Sequence, residues 1–359
     1  MTDLKLGYGL ELYRGAQLEV PVATVQRCEA LGYDIVWTAE AYGSDAMTPL
    51  AYLAATTSKI RLGTAVVQIA ARTPAATAMQ AMTIDAMAGG DRVVVGLGVS
   101  GPQIVEGWYG RPWGKPNAML RDYVAIMRKV FRREEAVSHD GSQIALPYTG
   151  PGSIGQGKAL KSIMHGNPNI PIFLASGGPL NTRLAAEVTD GWLPMGYGPD
   201  GADTFAESLD AGFARRDGSL GGRDTFETWV SLTVEITDDV GAAIARRKPL
   251  RTMYVGGMGS ESHNYHRDAM ARSGFPEEAH KIQELVLAGR RDEAIAVMPD
   301  AYIEQGALFG TQQRIAERFA TAVPRGATGV TIRTEQPEAL ELLANLAGTR
   351  DTANHPPPK

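Results

Sequence analysis

The residue types best suited to chemistry lie in one turn, Ser176-Gly177-Gly178-Pro179. A short apolar run, Ile172-Phe-Leu-Ala175, leads into it, and Leu180, Leu184, Ala185 and Val188 follow at helical spacing. Glycines between a strand and a helix let backbone N–H groups converge on an anion, with the positive end of the helix dipole behind them. Pro179 suits the first helical position, where a missing N–H costs nothing. The residues alone leave two readings open. Ala175 to Pro179 form either a phosphate site or an ordinary tight turn.

Other constellations carry less chemistry. His263 and His266 stand three apart, but a metal site needs further ligands and shelter, so they read as surface histidines. Ser153, Ser176 and Ser260 lack the Gly-x-Ser-x-Gly frame of a hydrolase nucleophile. Trp37, Tyr42, Trp108, Trp113 and Tyr254 could wall a substrate pocket or pack as ordinary aromatics; Trp37 and Trp108 stand nearest to strand ends.

Composition narrows the classes. The chain has 359 residues, 44% of them apolar, and a net charge of −5, with no basic footprint for nucleic acid. Cys28 is the only cysteine, which excludes an intramolecular disulfide and a cysteine metal cluster. With no leader and no long apolar run, the expectation is a soluble, cytoplasmic protein that binds no membrane and no metal.

The elements that position the turn alternate strand and helix. Strands are predicted at Leu4–Leu10, 34–37, 60–67, 92–98, 172–175, from Trp192, at Thr225–Ile236 and at 329–332. Helices are predicted at Leu18–Leu31, 48–57, 74–87, 117–131, 180–188, 202–215, 315–323 and 337–346. Eight such units suit an α/β fold, a (β/α)8 TIM barrel with insertions after strands 4 and 7, and an open doubly wound sheet is the competitor. No Gly-x-Gly-x-x-Gly follows the first strand, which counts against a dinucleotide-binding open sheet. The expected organisation is one domain over 1–350, with insertions at about 137–169 and 238–310. From 238 to 308 only helices and turns are expected, and 351–359 reads as a disordered tail. In a barrel, function sits at the C-terminal strand ends, which directs attention to residues 9–11, 38–42, 65–68, 98–101, 175–179 and 194–197.

Several stretches in order resemble the luciferase-like monooxygenase superfamily: Gly32-Tyr-Asp-Ile-Val-Trp-Thr-Ala-Glu40, Leu62-Gly-Thr-Ala-Val66 with Arg72-Thr-Pro74, Gly96-Leu-Gly-Val-Ser-Gly-Pro102, and the segment from Ala175 to Trp192. Tyr254–Ser260 and Ala307–Thr311 are similar to its actinobacterial branch that uses coenzyme F420, a deazaflavin. The resemblance implies a cis peptide at Ala65-Val66 behind the deazaflavin ring. It also implies a strand end at Gly98, Val99 and Ser100 lining the cofactor tail, a phosphate turn at Ser176–Gly178, and Met195 beside the cofactor. Glu40 matches an acidic residue near the ring. Several relatives carry His next, but Ala41 stands here, so Glu40 and Glu11 are the candidate proton carriers, and Glu40 reads equally as a hydrogen-bonding anchor. The implied function is F420-dependent hydride transfer with a small organic substrate, in a homodimer packed through helices near strands 2 and 3. An FMN-dependent monooxygenase fed by a separate flavin reductase and a non-catalytic F420-binding protein are the alternatives.

Overall fold

A computed structural model describes residues 4–14, 16–259 and 264–349. Ser260, His263 and the tail expected at 351–359 lie outside the described residues. Eight parallel strands close on themselves: β1 (Lys5–Gly9), β2 (Ile35–Thr38), β3 (Arg61–Thr64), β4 (Val93–Gly98), β5 (Ile172–Ser176), β6 (Gly191–Pro194), β7 (Glu227–Ile236) and β8 (Gly329–Arg333). Neighbours pair in chain order, and β8 pairs back onto β1. An open sheet would leave two edges, so the fold is the (β/α)8 barrel.

Alternation along the strands divides two cores. In β2, Ile35 and Trp37 point into the barrel while Val36 joins the layer between sheet and helices; in β4, Val94 points in and Val93 and Val95 point out. Both faces are apolar here, which is why stretches such as Ile35–Trp37 and Val93–Val95 read as hydrophobic runs. Trp37, Phe173 and Trp229 plug the interior, with the Trp37 ring 5.6 Å from Trp229 and 6.0 Å from Phe173. These rings need glycine opposite them: a Cβ on Gly7 would lie 2.8 Å from Trp229 Cζ3, and one on Gly63 would strike Trp37. Trp37 is 2% exposed, so it is a barrel plug beneath the mouth and not the substrate wall expected from its place near a strand end.

The N-terminal end of the barrel is sealed by charge. Arg61 donates to both oxygens of Glu227, at 3.1 and 2.9 Å, and to Asp34, while Lys5 also reaches Glu227. Burial alone would raise the Glu227 carboxyl, but hydrogen bonds and charge from Arg61 outweigh it and hold the group at about 2.

The outer helices include α1 (Val22–Ala30), α2 (Met47–Ala54), α3 (Pro74–Met87), α4 (Pro102–Gly107), α5 (Pro116–Arg132) and α6 (Pro179–Val188). Thr73 caps α3 by accepting from Ala76 N, with Pro74 at the first position. Helix α1 begins only after Pro21, whereas Leu18 pairs with Tyr13 in a small antiparallel ribbon.

Both insertions fall where the rhythm breaks. The first carries a hairpin, His139–Asp140 with Ala145–Leu146, strapped by a bridge from Val137 to Leu160. The second is helical, including Val240–Gly257, Tyr265–Arg272 and Pro276–Leu287, and has a core of its own around Met270, Ile282 and Phe309. It is not helices and turns alone: Ala307–Gly310 forms a parallel strand on the far half of β7.

Candidate functional site

At the C-terminal mouth, four consecutive strands, β3 to β6, bring most of the expected residues into one arc. The chain leaves β3 through a cis peptide between Ala65 and Val66, then Val67 and Gln68 re-pair with β4. The Val66 side chain lies over Gly98, where a Cβ would come 2.5 Å from Val66 Cγ2. Beyond Gly98 and Val99, Ser100 has φ 62°, a left-handed conformation uncommon for a residue with a side chain.

Glu40 is the clamp behind that bulge. One carboxylate oxygen accepts from Gln68 N at 2.8 Å and Arg72 Nη1 at 2.9 Å; the other accepts from Ala46 N and Arg72 Nη2, both at 3.1 Å. Gln68 Nε2 returns a hydrogen bond to the Glu40 carbonyl. The Glu40 side chain is only 3% exposed. A carboxylate offers about four acceptor directions, and all four here face donors. This geometry fits the anchor reading.

The glycine turn follows β5. Ser176 is buried and its hydroxyl is engaged, accepting from Trp192 Nε1 at 2.8 Å with Thr182 Oγ1 at 3.4 Å. The Ser176 side chain is therefore engaged within the fold. Gly178 is the N-cap of α6, and no side chain caps the helix and no acidic residue stands in its first turn. Met195 comes beside the turn: its N donates to Ser176 O at 2.9 Å, and a Cβ on Gly177 would lie 2.8 Å from Met195 O. Ala175 is half-buried, and Pro179 opens α6.

The other side of the mouth is polar. Glu11 is exposed after β1, close enough to Arg333 at the end of β8 to act on its charge. Burial pushes the Arg333 guanidinium down, and its Nε donates to Ser231 Oγ at 3.2 Å. The rings of Tyr254 and His266 meet at a tilt of 59°, with centroids 4.9 Å apart. His266 is thus not the surface histidine expected; burial, assisted by Arg251, lowers it to about 4. Tyr42 and Trp108 are exposed, Trp108 by 63%, on loops after β2 and β4. A groove of about 320 Å³, lined by Arg72, Val99 and Trp113 among others, runs beside the arc.

Sequence reasoning missed three arginines. Arg72 stands in a stretch that resembles the family but drew no role, and Arg272 carries no local signal, being a single basic residue in helical surroundings. Arg333 had one: it directly follows the apolar run of β8, at the end where barrels place function. Among the described residues, no group of three or more His, Cys, Asp or Glu could hold a metal ion, and no helix is long and apolar enough to cross a membrane.

Comparison with known proteins places this geometry. The luciferase-like monooxygenase family profile matches residues 9–329. The chain belongs to the luciferase-like monooxygenase family. It is 43% identical, over 96% of its own length and 99% of the relative, to a Mycobacterium tuberculosis protein named provisionally as a coenzyme F420-dependent oxidoreductase. Two solved family barrels share the fold. The coenzyme F420-dependent tetrahydromethanopterin reductase of Methanopyrus kandleri superposes with a TM-score of 0.73 at 21% identity, covering 95% of this chain and 97% of that one. The FMN-bound oxygenating constituent of 3,6-diketocamphane monooxygenase from Pseudomonas putida gives 0.62 at 16% identity, covering 96% and 98%.

Proposed function

We propose that the chain is a coenzyme F420-dependent oxidoreductase that exchanges hydride between the deazaflavin and a small organic substrate. The arc formed by the Ala65–Val66 bulge, the β4 end and the uncapped glycine turn carries this reading. The near full-length identity to the mycobacterial relative supports it.

The residues present suit a flat, phosphorylated cofactor. Ala65 and Val66 offer an apolar floor, and Gly98, Val99 and Ser100 flank it. Gly177 and Gly178 turn backbone and a helix end toward a phosphate, with Met195 alongside. When bound, the deazaflavin supplies hydride exchange, while the chain orients the reactants and excludes water. Glu40 holds the bulge rather than moving a proton, which leaves Glu11, exposed at the mouth, as the carboxylate for proton transfer. Tyr42, Trp108 and Tyr254 would meet substrate. A binding titration against F420, FMN and FAD in parallel tests this: F420 should bind at least about tenfold tighter than FMN, near 1.4 kcal/mol. Equal or tighter FMN binding would promote a flavin monooxygenase with a separate reductase. Tight F420 binding without turnover over a broad substrate panel would indicate a binding protein.

The reading extends to a homodimer. Tyr52, Met79 and Met87 are exposed on α2 and α3, Met79 by 60%. Beside them Leu160 and Ile163 of the first insertion border an apolar groove of about 450 Å³ that Met79 also lines. Exposed apolar area of this kind marks association surfaces. Light scattering should give twice the chain mass, and Met79→Asp should shift it toward one chain; a monomeric parent removes the proposal. The lone cysteine fits a reducing, cytoplasmic setting, which cell fractionation would test.

A further inference from the structure

The cofactor reading accounts for the glycine turn but not for the cation placed against it. Arg272 ends the helix Tyr265–Arg272 of the second insertion, far from the turn in sequence. Its guanidinium nevertheless reaches the turn: a Cβ on Gly177 would lie 3.5 Å from Arg272 Nη2. Arg272 Nε is shut off from solvent and has no hydrogen-bond partner among the described residues. Asp268, the acidic group that acts on it, has its Oδ1 occupied by Arg267 at 2.9 and 2.7 Å.

Two positive features thus converge on one spot. One is the uncapped start of α6; the other is a guanidinium whose buried Nε has no hydrogen-bond partner among the described residues and on which Asp268 acts only through its charge. Each disfavours the other unless an anion lies between them. There is room for one, since a Cβ on Gly178 would meet nothing within 4 Å. Burial also pushes the Arg272 guanidinium down, and the charge of Asp268 only partly offsets it.

We infer that Arg272 is a cofactor-binding residue, delivered by the second insertion to close on the phosphate seated at Gly177–Gly178. The planar guanidinium suits paired hydrogen bonds to two phosphate oxygens, which an ammonium cannot reproduce. It follows that the insertion completes the anion site and becomes anchored when the cofactor is in place.

This rests on the F420 reading, and the test separates the two. Fluorescence quenching measures the parent, Arg272→Met and Arg272→Lys against F420 and against the same deazaflavin truncated before its phosphate. Arg272→Met should weaken F420 by about ten- to hundredfold, the scale of charged hydrogen bonds. The truncated deazaflavin should bind all three proteins alike, and Arg272→Lys should fall between parent and Met. Equal losses for both ligands would mean that Arg272 only supports the insertion, and parent-like F420 binding by Arg272→Met would remove it from the site; either result overturns the inference. A parent that binds neither deazaflavin fails the cofactor reading itself.

Discussion

Gly178→Val should leave the barrel as stable as the parent and weaken F420 binding by about a hundredfold, near 2.7 kcal/mol. The separation of the two effects follows from geometry. Gly178 has φ −98° and ψ 154°, extended backbone open to any residue, and its missing Cβ faces empty space. Nothing in the protein resists the larger side chain, so thermal unfolding should not move. The same space is the approach to the uncapped end of α6, where a phosphate would accept backbone hydrogen bonds. Gly177→Val is the less discriminating variant, because its Cβ would press on Met195 O at 2.8 Å and distort the turn directly. F420 binding by Gly178→Val equal to that of the parent would reduce the turn to a plain connection between β5 and α6.

Glu40→Gln should cost about 3 kcal/mol of stability, the low end for removing one partner of a buried ion pair. The amide keeps the shape of the carboxylate but presents N–H toward donors. Arg72 Nη1 and Nη2, Gln68 N and Ala46 N all point at the two positions concerned. The half-buried Arg72 then lacks its counter-charge, and the segment Ala65–Gln68 loses one of its fastenings to the end of β2, the backbone bonds of Ala65 and Val66 remaining. Affinity for F420 should fall with stability, while the complexes that still form turn over with the parent's pH profile. A variant of unchanged stability whose pH profile loses a limb would return Glu40 to proton transfer. Glu11→Gln is the matching variant, and it should alter the profile without moving the melting temperature.

The barrel was legible because strands such as β2, β4 and β5 are buried on both faces and stand out as apolar runs between helices of ordinary length. Legibility ended where long-range partners decide. Leu18 continues the hydrophobic spacing of α1, but Pro21 delays the helix and Leu18 pairs with Tyr13 instead. Ala307–Gly310 is too short to announce a strand after so many helices, and only the overhanging half of β7 makes it one. Trp37 stands near a strand end, yet alternation turns it inward onto Trp229. The site shows the same division. The glycine turn and the bulge were marked locally or by resemblance. The role of Glu40 depends on Arg72, and the cation at the turn arrives from Arg272, nearly a hundred residues away. No local pattern encodes either meeting.

The helical insertion between β7 and β8 packs around its own buried cluster, separate from the two cores of the barrel. Its hydrophobic contacts are therefore settled largely among its own helices and the strand Ala307–Gly310, so its local stability is set largely apart from that of the barrel. Residues on its underside can change to suit a new substrate at a cost confined to that unit. The plugged interior and the ion-paired floor keep the fold intact meanwhile. Selectivity and durability are in this way inherited through different residues, and one can drift while the other stays constant.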